Sequence, residues 1–112
     1  MPEEEKKQPT PVIIDLVANI KNFSTIPNSN SEFCIYTYKA EFETMDQVNR
    51  PGFFNPAYSF LNVGDMIRLF RFDLEKNLTH YFQYVVVSVD KINKKVKVAT
   101  VENVKIENRL IG

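Results

Sequence analysis

The residues able to carry chemistry are few and widely spaced. His80 is the only histidine and Cys34 the only cysteine among 112 residues. A zinc or transition-metal site gathers several His, Cys or carboxylate ligands, and no second soft ligand stands near His80. Asp65, Asp73, Glu75 and Asp90 could be brought together by a fold, but no calcium-loop spacing links them. Gly52, Gly64 and Gly112 lie too far apart to cradle a phosphate. Neither a nucleophile with its base nor a carboxylate pair set for a cleft is visible. The chain is therefore expected to be no enzyme, with no metal and no cofactor.

A lone cysteine excludes intrachain disulfide stapling. Its neighbours Phe33 and Ile35 make Cys34 a small buried hydrophobe in this reading. Fourteen basic residues balance fourteen acidic ones, so no global field draws the chain to nucleic acid or to an anionic membrane. The start, MPEEEKKQPTP, is acidic before it is basic, the wrong order for a secretion signal. The apolar run of residues 12–20 is interrupted by Asp15 and Asn19 and is too short to span a bilayer. A soluble protein without a membrane partner is expected.

The elements that would hold these residues follow from periodicity. Residues 1–10 are charged or polar, with prolines at 2 and 9, and lack the apolar content to fold alone. With residues 11–22 they form an expected N-terminal arm, whose contact residues are Val12, Ile13, Ile14, Leu16, Val17 and Ile20. Thr10 and Pro11 could begin a helix there, while the β-branched Val12, Ile13 and Ile14 favour an extended chain; both readings stand. Residues 23–112 form one small domain. Residues 24–31, STIPNSNS, read as a loop.

Residues 33–43 alternate: Cys34, Tyr36, Tyr38, Ala40 and Phe42 on one face, Thr37, Lys39, Glu41 and Glu43 on the other. That period predicts a half-buried strand. Strands are also predicted over residues 66–73, 81–89 and 95–101. The last two pair as a hairpin across the polar turn of residues 90–94. The tail is read as one more short strand, with Val104 and Ile106 facing inward. Many short strands with little helix give a mainly β domain, a small barrel or sandwich.

Between these strands lies GFFNPAYSFLNVGDMI, residues 52–67. Asn55 suits a helix cap, Pro56 the first helical position and Gly64 the residue past the end. The segment between is predicted to be a two-turn helix before a central strand, turning Phe54, Tyr58 and Leu61 onto the sheet. It is read as a structural corner in preference to an exposed binding loop. The aromatics Phe70, Phe72, Tyr81, Phe82 and Tyr84 beside Arg68 and Arg71 raise a rival reading, a platform on which bases stack. The neutral charge opposes it, so nucleic acid is not the expected partner.

The stretch from Tyr36 to Ile67 resembles a pattern in small structural proteins of tailed bacteriophages. A Tyr-containing strand (Tyr36, Tyr38) leads to Asp46 and Val48, then to a Gly-aromatic-Phe-Asn turn at Gly52, Phe53, Phe54 and Asn55. A Leu-x-Val-Gly-Asp-x-Ile corner follows at Leu61, Val63, Gly64, Asp65 and Ile67, and a hairpin carries Val96 and Val98. The similarity covers residues 33–101. It departs from the pattern at Arg50 and Pro51 before the glycine and in the charged loop after Asp73. The resemblance implies a non-enzymatic virion component, made in the host cytoplasm: a capsid decoration or head-fibre protein, or a neck- or tail-associated one. It further implies a homo-oligomer, with a trimer expected, that meets a major capsid or other virion protein through its N-terminal arm.

Overall fold

A computed structural model describes residues 17–26, 33–41 and 43–106. It is mainly β. Five strands, β1 (Phe23–Ile26), β2 (Ile35–Ala40), β3 (Met66–Phe72), β4 (Leu78–Asp90) and β5 (Lys95–Lys105), lie side by side in chain order. The sheet is open, not closed into a barrel. Neighbours run antiparallel except β2 and β3, which run parallel.

That parallel pair dictates the rest. Parallel neighbours need a crossover that carries the chain back to the starting end. Here residues 43–64 make the return across one face of the sheet, and they contain the aromatic stretch. Phe53, Phe54, Ala57 and Leu61 from the crossover meet Tyr36, Tyr38, Ile67, Leu69, Phe82, Tyr84 and Val86 from the strands, all of them buried. The rings meet edge to face, Phe53 on Phe54 at 5.0 Å and Phe54 on Tyr84 at 5.3 Å between centroids, the arrangement that aromatic quadrupoles favour.

The crossover begins with a short helix, α1 (Met45–Val48). It carries a capping box in which Thr44 and Gln47 bond each other's backbone amides. The expected two-turn helix after Asn55 is shorter: a 3₁₀ turn, Asn55–Ala57, continues as turns to Phe60. Close packing of the aromatics on the sheet tightens this segment, and Leu61 leaves it to fill the core.

Three further expectations are corrected. Residues 24–26, placed in a loop, belong to the edge strand β1, because Phe23 packs on Tyr38 at 4.8 Å and the backbone of Phe23–Ile26 pairs with β2. The tail strand is no separate element: β5 runs on to Lys105, and a bulge between Gln83 and Tyr84 shifts its register. Val104 therefore stands opposite Tyr81 on the other face from the core, 37% exposed, while Ile106 only bonds the carbonyl of Thr79. Strand β2 ends at Ala40, which frees Glu43 from the solvent face assigned to it; Phe42 lies outside the described residues.

Candidate functional site

The motif residues of the crossover form a latch. Asp65 is 1% exposed. Its Oδ1 accepts from the amide of Cys34 at 3.0 Å and its Oδ2 from the amide of Asn62 at 2.9 Å. The amide of Gly64 donates to the carbonyl of Val86, and the amide of Val86 donates to the carbonyl of Asp65, both at 2.8 Å. The carboxylate thus ties the start of β2 to the corner before β3, and the backbone of Gly64 and Asp65 ties that corner to β4. Gly64 has φ +98°, and a side chain there would meet the Phe33 ring at 2.5 Å, so only glycine fits both constraints. Ile67 is buried in the core and Val63 is exposed. Tyr58 is half-buried, with the Lys94 ammonium 5.8 Å from its ring centroid. Cys34 is half-buried and packs against the core.

A second polar cluster was not foreseen. Glu43 is 5% exposed and accepts from the hydroxyl of Tyr38, while its Oε1 accepts from the amide of Glu41 at 3.1 Å. Nε of Arg71 donates to the Glu43 carbonyl at 2.8 Å, and the Tyr38 hydroxyl accepts from the amide of Asn19 at 2.9 Å. Burial, and then the bond to Glu43, hold the Tyr38 phenol well above its ordinary pKa. The cluster joins the arm's end to the sheet. A lone glutamate three residues beyond a strand end gives no sequence signal of this kind.

Of the arm residues, Val12, Ile13, Ile14 and Leu16 lie outside the described residues. Val17 and Ile20 are exposed, at 47% and 53%. Between them Ala18 is buried, and its amide donates to the carbonyl of Phe53 at 2.8 Å.

Two surfaces stand out among the described residues. The first is a groove of about 580 Å³ between the crossover and β5. Phe53, Phe54, Val96 and Val98 form its apolar part, Arg50, Lys95 and Lys97 bring positive charge, and none of the described residues lining it is acidic. Tyr84 also borders it; the Tyr84 hydroxyl is buried with no hydrogen-bond partner among the described residues, and burial raises its pKa. The second is the face of the sheet opposite the core. Its registers set two mostly apolar rows, Ile26–Ile35–Met66–Val85–Ala99 and Lys39–Phe70–Tyr81–Val104. Between them runs a polar row, Ser24–Thr37–Arg68–Gln83–Glu102. Most of these side chains remain partly or fully exposed.

Among the described residues, no three His, Cys, Asp or Glu side chains are grouped to hold a metal ion. No described helix is long and apolar enough to cross a membrane. No protein-family model matches the chain, and no curated protein or solved structure is detectably similar to it.

Proposed function

We propose that this chain is a non-enzymatic structural protein of a bacteriophage virion. In this reading it self-assembles through the outer face of its sheet and attaches to the particle by its N-terminal arm. One observation carries the assembly half: two apolar rows flank a polar row on a face that no described segment covers. All described residues that leave the sheet to pack on it, Ala18 and residues 43–64, join the core on the opposite face. Large exposed apolar patches mark interaction sites on soluble proteins.

A second copy is the occupant that the face suits best. Arg68 and Glu102 share the polar row. In a closed ring of copies each interface joins one part of a surface to a different part of the neighbour's, so Arg68 of one copy can meet Glu102 of the next. The formal net charge of zero adds no repulsion between copies. The virion role itself rests on the resemblance, which also supplies the trimer. Location on head, neck or tail is left open by this reading.

The stacking-platform reading is weaker on this geometry. Phe82 and Tyr84 are spent in the core, leaving Phe70, Phe72 and Tyr81 on the outer face with Glu102 nearby. Phe70→Glu and Tyr81→Glu each place a carboxylate in an apolar row without touching the core. Both variants are expected to stay folded by circular dichroism and to lose self-association in sedimentation. Folded variants that keep the unaltered chain's mass overturn the assembly surface. Tight binding of single-stranded DNA at low salt by the unaltered chain favours the platform instead.

A further inference from the structure

We infer that the outer edge of β5, at Val98 and Thr100, receives an extended segment of another protein as an added strand, one in which apolar and acidic residues alternate. Strand β5 is 11 residues long and ends the sheet, with no described strand on its outer side. Two independent contacts show which of its backbone groups point outward. The amide of Val86, the residue opposite Val98, donates to the carbonyl of Asp65, and the carbonyl of Val86 accepts from the amide of Gly64. Val86 thus turns its backbone groups away from Val98, and those of Val98 point away from β4. The amide of Val96 points the same way and donates to Asn55 Oδ1. Alternation extends the outward direction to Thr100. Asn55 satisfies Val96, but no described strand does the same for Val98 or Thr100.

The groove beside this edge sets what the segment must carry. Val96 and Val98 pack toward the core, next to Phe53 and Phe54 in the apolar part of the groove. Lys95 and Lys97 alternate with them, stand on the other face and are exposed. An added strand repeats that period. Its side chains on one face meet Val96, Val98 and the two phenyl rings, and those on the other face meet Lys95 and Lys97. None of the described residues lining the groove is acidic, so carboxylates on the incoming strand complement it. Main-chain bonds to an open edge supply affinity in this mode of recognition, and alternate side chains supply specificity.

Lysines and bulges also serve to blunt an exposed edge, and β5 has both. Its bulge lies at Val101, however, and leaves Val98 and Thr100 in regular register with Val86 and Tyr84. Blunting accounts for the lysines but not for the apolar groove beside them. The inference depends neither on the virion role nor on the outer face.

The test is a nuclear magnetic resonance titration of the full chain with end-blocked peptides. The probe alternates valine with aspartate; one control replaces aspartate by lysine, and another carries N-methyl groups on its backbone amides. The valine–aspartate peptide is expected to shift the Val98 and Thr100 amides and slow their exchange with solvent, leaving those of Phe70 and Tyr81 unmoved. The lysine form should bind roughly tenfold more weakly, because like charges on neighbouring strands repel, and the methylated form should not bind. In the full-length variant carrying Lys95→Glu and Lys97→Glu, both at exposed positions, the preference between the two charged peptides should reverse. No binding of the valine–aspartate peptide, binding at Phe70 and Tyr81 instead, or binding that survives methylation overturns the added strand. Equal binding of the two charged peptides overturns the acidic partner. A Val98 amide already protected from exchange in the chain alone shows the edge to be covered, and overturns the proposal as well.

Discussion

Asn55 and Val96 stand 41 positions apart and are joined by one hydrogen bond, from the Val96 amide to Asn55 Oδ1 at 2.8 Å. This bond pins the aromatic crossover to the first residues of the edge strand. Asn55→Ala leaves that amide without its acceptor and should lower stability by roughly 1–3 kcal/mol, the range for an orphaned, partly buried donor. Asn55→Asp keeps an oxygen in place and should cost less. Urea unfolding of the three chains checks this; an Ala variant as stable as the unaltered chain would show the bond to be incidental.

The Asp65 latch predicts a larger loss. Asp65→Ala removes the acceptor of two amides at once, those of Cys34 and Asn62. Each orphaned amide costs about 1–3 kcal/mol, so the substitution should rank above any exchange at exposed Glu41 or Glu75. Thermal melts of the three variants give the order directly.

Packing predicts a gradient along the crossover. Leu61 is wholly buried whereas Tyr58 is half-buried. Leu61→Ala should cost about 2–5 kcal/mol, the usual range for emptying a core leucine site, and Tyr58→Ala should cost less. Tyr84→Phe should go the other way. It deletes a buried hydroxyl that has no partner, so the variant should match or exceed the unaltered chain in urea midpoint. A clear loss of stability would mean that the hydroxyl is used.

Titration of His80 predicts the acid side of the stability profile. Its ring lies parallel to that of Phe82, 6.1 Å away. Burial, and then the charges of Arg71 and Lys105, lower its pKa from 6.5. The unfolded chain therefore takes up the proton first. Stability should fall as pH drops below 6.5 and level off once the folded-state imidazole is also charged. His80→Gln should flatten that step in paired unfolding curves; an unaltered pH slope would contradict it. On the alkaline side, burial first, and then Cys34 and Asp65, push Tyr36 up to about 12. Tyr38 and Tyr84 are also raised, chiefly by burial. Stability should decline above pH 10, where unfolded tyrosines begin to ionise and folded ones do not.

Much of this fold was legible where one physical rule acts alone. Alternation in residues 33–40 and 95–98 and the turn chemistry of residues 90–94 gave strands and a hairpin, and both formed. The aromatics of residues 52–61 lie against the sheet because helical spacing and sheet cover demand the same apolar face. Rules in competition read less well. Phe23 to Ile26 carries loop-like Ser24 and Thr25, and only tertiary pairing with β2 makes it a strand. The parallel pairing of β2 with β3 has no local signature, so the crossover could not be deduced from turns. Glu43 was misplaced because alternation was extended past Ala40, although Thr44 and Gln47 already spell a helix start. The outer face was hidden for a similar reason: Phe70 and Tyr81 look like core until the registers place them opposite the crossover.

The most direct test of the central claim is the native mass of the unaltered chain by light scattering across a dilution series. Assembly through the outer face predicts a stable closed oligomer, with a trimer at three times 13.0 kDa as the expected form. A species that stays at 13.0 kDa at every concentration would contradict self-assembly and leave the outer face without the partner proposed for it.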